Sequence, residues 1–262
     1  MTCQVTGTAF ITGGGSGIGK GTAFVLAKNG VSALALLDVQ VAQLEATRTE
    51  LLEQFPSVAV EILEVDVTKE AAVDKAVQRV AEKFGRIDIA VHAAGISGTP
   101  TFTHEHGLAE WQKVIDINQT GVWLCQRAVI RQMMKQESRG NRIGKGVIVN
   151  LSSMFGVAVP PAAFRIAPYT AAKHAVVAIT KLDAKTYAKE GIRINAICPG
   201  WVNTPMIRKG IESGAMDAVF QNTPISRPAT VEEIADSILF MVSPMSSYMC
   251  GTALVVDGGF TA

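Results

Sequence analysis

The chain predicts an α/β fold: one domain over residues 1–262, built as a doubly wound, Rossmann-like parallel sheet of about seven strands with helices on both faces. Three observations predict it. Short runs rich in Val, Ile, Leu and Ala recur at a regular beat. Most are continuous rather than alternating, as strands buried on both faces are. Helical patterns fall between them, joined by short connections.

The strand candidates, in order, are Thr8–Thr12, Ser32–Asp38, Val58–Val67, Ile87–Ala93, Val147–Ser152, Arg193–Cys198 and Ala253–Asp257. Among the helices, Val73, Ala76, Val77, Val80, Ala81 and Phe84 keep the spacing of one amphipathic face. Trp111, Val114, Ile115, Val122 and Val129 mark the stripe of a single long helix, with Asn118 on it. Thr230 and Glu233 form a capping box ahead of Ile234, Ile238 and Leu239. The least regular stretch, about 201–228, is the candidate lid over a site.

Composition narrows the function. Apolar residues make up 48% and charged residues 18%, which excludes a disordered chain. The formal charge is +1 and no basic run stands out, so neither nucleic acid nor an anionic membrane is an expected partner. Cys3, Cys125, Cys198 and Cys250 are scattered, without metal or disulfide spacing, and reduced thiols are expected. No metal is expected. No apolar run reaches the length of a membrane span, and "MTCQVTGTAFITGG" lacks the features of a signal peptide. A cytoplasmic location is expected.

The stretch "FITGGGSGIGKG" follows the first strand and opens the first helix. Gly13, Gly17 and Gly19 let a backbone turn tightly against a diphosphate, which free N–H groups at the helix start would bind. Asp38 ends the second strand, where a carboxylate accepts hydrogen bonds from a ribose diol and repels a 2′-phosphate. No Arg or Lys lies within Gly13–Gly19 or just after Asp38. NAD is therefore the expected cofactor rather than NADP. Asp66 either meets an adenine amine, with Val67 offering backbone groups, or caps the helix that follows. At Ala93 and Ala94 a larger side chain would block a flat ligand.

Tyr169 and Lys173 stand at i and i+4, on one helix face. A nearby ammonium favours a phenolate, so the pair reads either as a proton-exchanging device or as an exposed helical turn. Ser152 and Ser153 end an apolar strand, where such sheets bind ligands. Asn118 is either a structural bridge or part of a polar network.

Taken together, the chain resembles the short-chain dehydrogenase/reductase family. The matching pieces are TGGGSGIG at Thr12–Gly19, Asp38, DV at Asp66–Val67, AAG at Ala93–Gly95, Asn118, NLSS at Asn150–Ser153, YTAAK at Tyr169–Lys173, PGWVNTP at Pro199–Pro205 and VVDGG at Val255–Gly259. The resemblance implies a catalytic tetrad of Asn118, Ser153, Tyr169 and Lys173. It implies a cofactor held by Gly13, Gly15, Ser16, Gly17, Ile18, Gly19, Asp38, Asp66, Val67, Ala93, Ala94 and Gly95. Asn118, Tyr169, Lys173, Pro199, Gly200, Val202 and Thr204 complete that set. It implies hydride transfer between an alcohol and a ketone, and assembly as a homotetramer or homodimer.

The expected substrate is a small carbonyl or alcohol compound, apolar; Phe102, Phe155, Val157, Phe164, Trp201, Met206, Met216 and Phe220 lie on segments that border it, or half of them pack the core. Alternatives are a related enzyme using the cofactor as scaffold for cyclisation or dehydration, and a cofactor-binding protein without turnover. Two departures from the family pattern stand out. His92 replaces an Asn that supports the sheet, and could instead titrate near the cofactor. About three extra residues lie between Ser153 and Tyr169, which bears on whether Ser152 or Ser153 acts.

Overall fold

The computed structural model describes residues 3–262; Met1 and Thr2, which begin the stretch read for a signal peptide, lie outside the described residues. Seven parallel strands form one sheet in the order β3-β2-β1-β4-β5-β6-β7. They are β1 Thr8–Thr12, β2 Ala33–Asp38, β3 Ala59–Glu64, β4 Ile89–His92, β5 Gly146–Leu151, β6 Ile192–Pro199 and β7 Ala253–Val256. The helices are α1 Gly17–Lys28, α2 Val41–Gln54, α3 Glu70–Phe84, α4 Leu108–Ile115, α5 Val122–Met134, α6 Ala167–Tyr187, α7 Arg208–Glu212, α8 Asp217–Gln221 and α9 Val231–Val242.

The continuous apolar runs have a simple cause. Successive residues of a strand point to opposite faces, and both faces are covered. Ala9, Ile11, Leu34, Leu36, Val91 and Val149 pack with α1, α2 and α9. Phe10, Ala35, Leu37, Ala90 and Ile148 pack with α3, α5 and α6. The edge strand β3 is the exception. It carries Glu61 inward, held by Arg79 and Lys83 of α3, whose hydrogen bonds keep its carboxyl below the usual range despite burial.

Strand ends differ from expectation by a few residues. The largest difference is β3, which stops at Glu64, so Asp66 and Val67 lie on the connection beyond it. The capping box at α9 forms, with Thr230 Oγ1 accepting from Glu233 N and Glu233 Oε2 accepting from Thr230 N. The expected long helix forms without a break from Leu108 to Met134, with one local irregularity. α4 and α5 are joined by a widened π-type turn at Asp116–Gly121, and Asn118 sits in it, fully buried. Such single turns occur inside α-helices, frequently at functional sites. Here the Asn118 amide is tied to the backbone of Ile96. Residues 201–228 are less irregular than expected, since α7 and α8 fall within them.

Strand order reverses between β1 and β4, and in a doubly wound sheet the crevice beyond the strand ends at that point is where ligands bind. Among the described residues no helix is long and apolar enough to cross a membrane.

Candidate active site

A cleft of about 610 Å³ opens at this crevice. Of the residues expected to bind cofactor or act in catalysis, all but Gly15 and Asn118 line it. At one end the glycine turn folds β1 back into α1. Gly13 has φ +68°, and a Cβ there would lie 2.9 Å from the Ala93 carbonyl carbon. A Cβ on Gly19 would collide with the Gly13 carbonyl. The absence of side chains thus lets the turn fold tightly against Ala93 and against itself.

Gly15 acts from behind this wall. Its N–H donates to Asp38 Oδ2 at 3.2 Å, and Gln40 N–H donates to Asp38 Oδ1 at 3.1 Å. These bonds fix the half-buried carboxylate at the rim. Among the described lining residues the only cation is Lys173, at the far end. Asp66 accepts from Thr68 N at 2.9 Å and Thr68 Oγ1 at 2.7 Å through a single oxygen. It shapes the turn into α3 with Oδ1, while its side chain still borders the cleft. Val39, Gln40 and Ile117 also line the cleft and were not anticipated; only their adjacency to Asp38 and Asn118 could have indicated them.

At the other end α6 brings Tyr169 and Lys173 against the close of β5. Lys173 is not an exposed helical residue: it is 3% exposed. Its ammonium donates to Leu151 O at 2.8 Å and lies 5.5 Å from the Tyr169 ring centroid. Burial pushes the amine down to about 8, with Cys198 opposing. The two serines divide their roles. Ser152 Oγ donates to the Lys173 carbonyl at 2.9 Å and so braces α6. Ser153 Oγ accepts from Phe155 N–H at 3.1 Å and neighbours the Tyr169 hydroxyl.

Burial pushes the Tyr169 phenol above its ordinary value, and Ser153 only partly offsets it. The lysine does not reverse that on its own, because the ammonium lies over the ring and desolvation of a phenolate is costly.

Asn118 spends its amide on Ile96: Ile96 N–H donates to Oδ1 at 2.8 Å, and Nδ2 donates to Ile96 O at 2.7 Å. These two bonds bridge it to the segment after β4, close to the reacting groups, and leave one N–H of its amide unspent. A Cβ on Gly95 would lie 2.8 Å from Asn118 Oδ1 and 3.7 Å from Lys173 Nζ.

His92 is 1% exposed, and its Nδ1 lies 2.8 Å from Asn150 Oδ1. Burial pushes the imidazole down to about 4, so it stays neutral and does not titrate beside the cleft near neutrality.

Beyond Tyr169 the cleft is walled by Phe155 and Trp201, with Phe164 and Phe260 packed behind them. Phe164 stacks on Trp201 with centroids 5.1 Å apart. Phe155 and Phe260 meet Trp201 edge-on at 5.7 and 5.8 Å. The buried Trp201 Nε1–H has no hydrogen-bond partner. Phe164 lies on the lengthened stretch before Tyr169, which Arg165 fastens, its guanidinium stacking 3.8 Å from the Phe102 ring centroid. Of the expected border residues, Phe155, Trp201 and Met206 line the cleft, whereas Phe102, Val157, Phe164, Met216 and Phe220 do not. Phe260 was not anticipated either; it packs on Phe155 and Trp201 behind the cleft rather than lining it, and its place just after VVDGG is the only sequence signal for it.

This arrangement is that of a nicotinamide-dependent oxidoreductase, and comparison with known proteins agrees. A family model described as enoyl-(acyl carrier protein) reductase matches residues 13–261. The short-chain dehydrogenase fogB of Aspergillus ruber is 38% identical, over 98% of each chain. The cis-4-hydroxycyclohexanecarboxylate dehydrogenase of Sinomonas cyclohexanicum is 38% identical, over 97% of this chain and 96% of its own. The crystal structure of levodione reductase superposes with a TM-score of 0.89 at 36% identity, over 99% of this chain and 98% of that one. The chain belongs to the short-chain dehydrogenase/reductase family, whose members it joins as an oxidoreductase of alcohol and ketone groups.

Proposed function

We propose that the chain is an NAD(H)-dependent oxidoreductase interconverting a secondary alcohol and a ketone, with Tyr169 as the acid and base. One observation carries this reading: the glycine cradle and Asp38 stand at one end of a continuous cleft, and Tyr169, Ser153 and Lys173 stand at the other. Bound NAD would supply the hydride chemistry.

The chain's own residues have separable tasks. The turn from Gly13 to Gly19 and the start of α1 hold the diphosphate. Asp38 accepts from the ribose diol, and the lack of a nearby cation disfavours a 2′-phosphate. Asp66, Val67, Ala93 and Ala94 make the flat adenine side, while Pro199, Gly200, Val202 and Thr204 hold the carboxamide. Tyr169 delivers its proton to the carbonyl oxygen and regains it on oxidation. Ser153 donates to the same oxygen as negative charge develops there. Lys173, with an amine near 8, exchanges protons with the phenol and binds ribose hydroxyls. Asn118 holds the Gly95–Ile96 segment beside that ammonium and anchors water on the path to Lys173.

The aromatic wall favours an apolar, ring-bearing substrate. Two relatives support the ring, since one is named for a hydroxycyclohexanecarboxylate and the other for levodione. A cytoplasmic setting and a dimer or tetramer belong to the same reading.

The test follows the absorbance of reduced nicotinamide across a panel of cyclic and open-chain ketones, with NADH and NADPH. Wild type should favour NADH. Tyr169→Phe should bind NADH as well as wild type but turn over about 10²–10⁴ times more slowly. Silence of both proteins on every ketone removes the redox reading, and a preference for NADPH removes the NAD assignment.

A further inference from the structure

A chain of buried polar side chains runs through the α5–α6 side of the sheet, outside the reacting cluster. His92 Nδ1 lies 2.8 Å from Asn150 Oδ1. Asn150 Nδ2 donates to Gln126 Oε1 at 2.6 Å and to Thr180 Oγ1 at 2.8 Å. Gln126 Nε2 donates to Asp183 Oδ2 at 2.6 Å. His92, Gln126, Asn150 and Thr180 are all at most 1% exposed, and Asp183 is half-buried.

Side-chain amides can be turned end for end, so such a chain needs something to set its direction. An ionised carboxylate only accepts. Asp183 therefore holds Gln126 with its NH₂ toward the carboxylate and its oxygen toward Asn150. That oxygen takes an N–H of Asn150, which leaves Asn150 Oδ1 to accept from His92. His92 must then carry its proton on Nδ1. Its buried Nε2 keeps a lone pair that no donor meets among the described residues.

We propose that Asp183 and His92 are the two ends of a polarised chain that sets the register of the catalytic segments, with His92 as a positioning residue. Each link sits on a segment that carries one of them. His92 ends β4 and leads into Gly95 and Ile96, which holds Asn118. Asn150 precedes Leu151, whose carbonyl takes the Lys173 ammonium, and Ser153 follows. Gln126 stands about two turns beyond Asn118, and Thr180 about two turns beyond Lys173 on α6. The node at Asn150 thus ties together β4, β5, α5 and α6.

The geometry explains how His serves where the related family has Asn. His Nδ1 and Asn Nδ2 are both bonded to Cγ, so each presents an N–H at the same place. Asp at 92 would present an acceptor to an acceptor, and Leu would present nothing.

The test uses the full chain labelled with ¹⁵N-histidine, and the variants His92→Asn, His92→Asp, His92→Leu and Asp183→Leu. Wild type should show the His92 signal protonated on Nδ1 alone, and Asp183→Leu should show a mixture of tautomers. In turnover, which rests on the redox reading above, His92→Leu, His92→Asp and Asp183→Leu should lower kcat about tenfold with cofactor KM little changed. His92→Asn should restore kcat to within about threefold of wild type.

His92 protonated on Nε2 overturns the proposal. So does a His92→Asn protein as slow as His92→Leu, or an Asp183→Leu protein with wild-type tautomer and kcat. Asp183 is half-buried, so its variant keeps the test open should the His92 variants fail to fold. If wild type reduces no ketone, the redox reading fails and the tautomer measurement alone decides the chain's polarity.

Discussion

Replacing Lys173 by Met removes a buried charge while keeping a side chain of similar length. The ammonium is 3% exposed and donates to Leu151 O at 2.8 Å. Burial takes the amine from 10.5 down to about 8. Each tenfold step in acidity is 1.36 kcal/mol, so holding the charge there costs the fold about 3 kcal/mol. The sign follows from proton counts. Between the folded value of about 8 and the unfolded value of 10.5, the unfolded chain holds the extra proton. Stability therefore rises with pH across that window, and the full penalty stands below it.

The Met variant lacks both the penalty and the bond to Leu151, the latter worth about 1–2 kcal/mol. Urea midpoints of the two proteins, measured from about pH 7 to about pH 10, isolate the lysine because other titrating groups cancel. The Met variant should be about 1–2 kcal/mol more stable near neutrality, and wild type should recover about 2 kcal/mol on it by about pH 10. The same variant should lose turnover. A stability difference that stays flat with pH refutes the buried, readily discharged amine.

Three further outcomes follow from the site. Ser153→Ala should slow ketone reduction about a hundredfold, whereas Ser152→Ala should chiefly lower the melting temperature; equal kinetic effects would contradict their separate hydrogen bonds. Asp38→Ala should weaken NADH binding about tenfold and narrow the preference over NADPH, read by fluorescence titration; an unchanged ratio would take the ribose contact away from Asp38. Trp201→Ala should raise KM for ring ketones about tenfold, more than for open-chain ones, as loss of aromatic contact predicts. A uniform change across the panel would count against the aromatic wall.

The lesson for reading such chains lies in which residues were legible. The seven strands were visible because both faces of a parallel sheet are buried, so each strand is apolar from end to end. The glycine turn was visible because a backbone that must approach another backbone tolerates no Cβ. The capping box at Thr230 and Glu233 was visible because both partners lie within one turn. Asn118 was found on its long helix, but the widened turn was not, because its partner Ile96 is far away in sequence. Lys173 was found, yet its burial was not visible in a run of small helix formers.

By itself the sequence determined the class of fold, the order of its strands and helices, and the residue types gathered at the strand ends. These follow from local periodicity and from short motifs whose parts are chain neighbours. Tertiary structure alone decided that Ser152 braces α6 while Ser153 faces the phenol, that burial raises Tyr169 and lowers Lys173, and that Phe260 packs behind the aromatic wall. It also decided that His92 ends a polar chain reaching Asp183. Each of these depends on dielectric surroundings or on partners brought together from distant segments, and only packing sets either one.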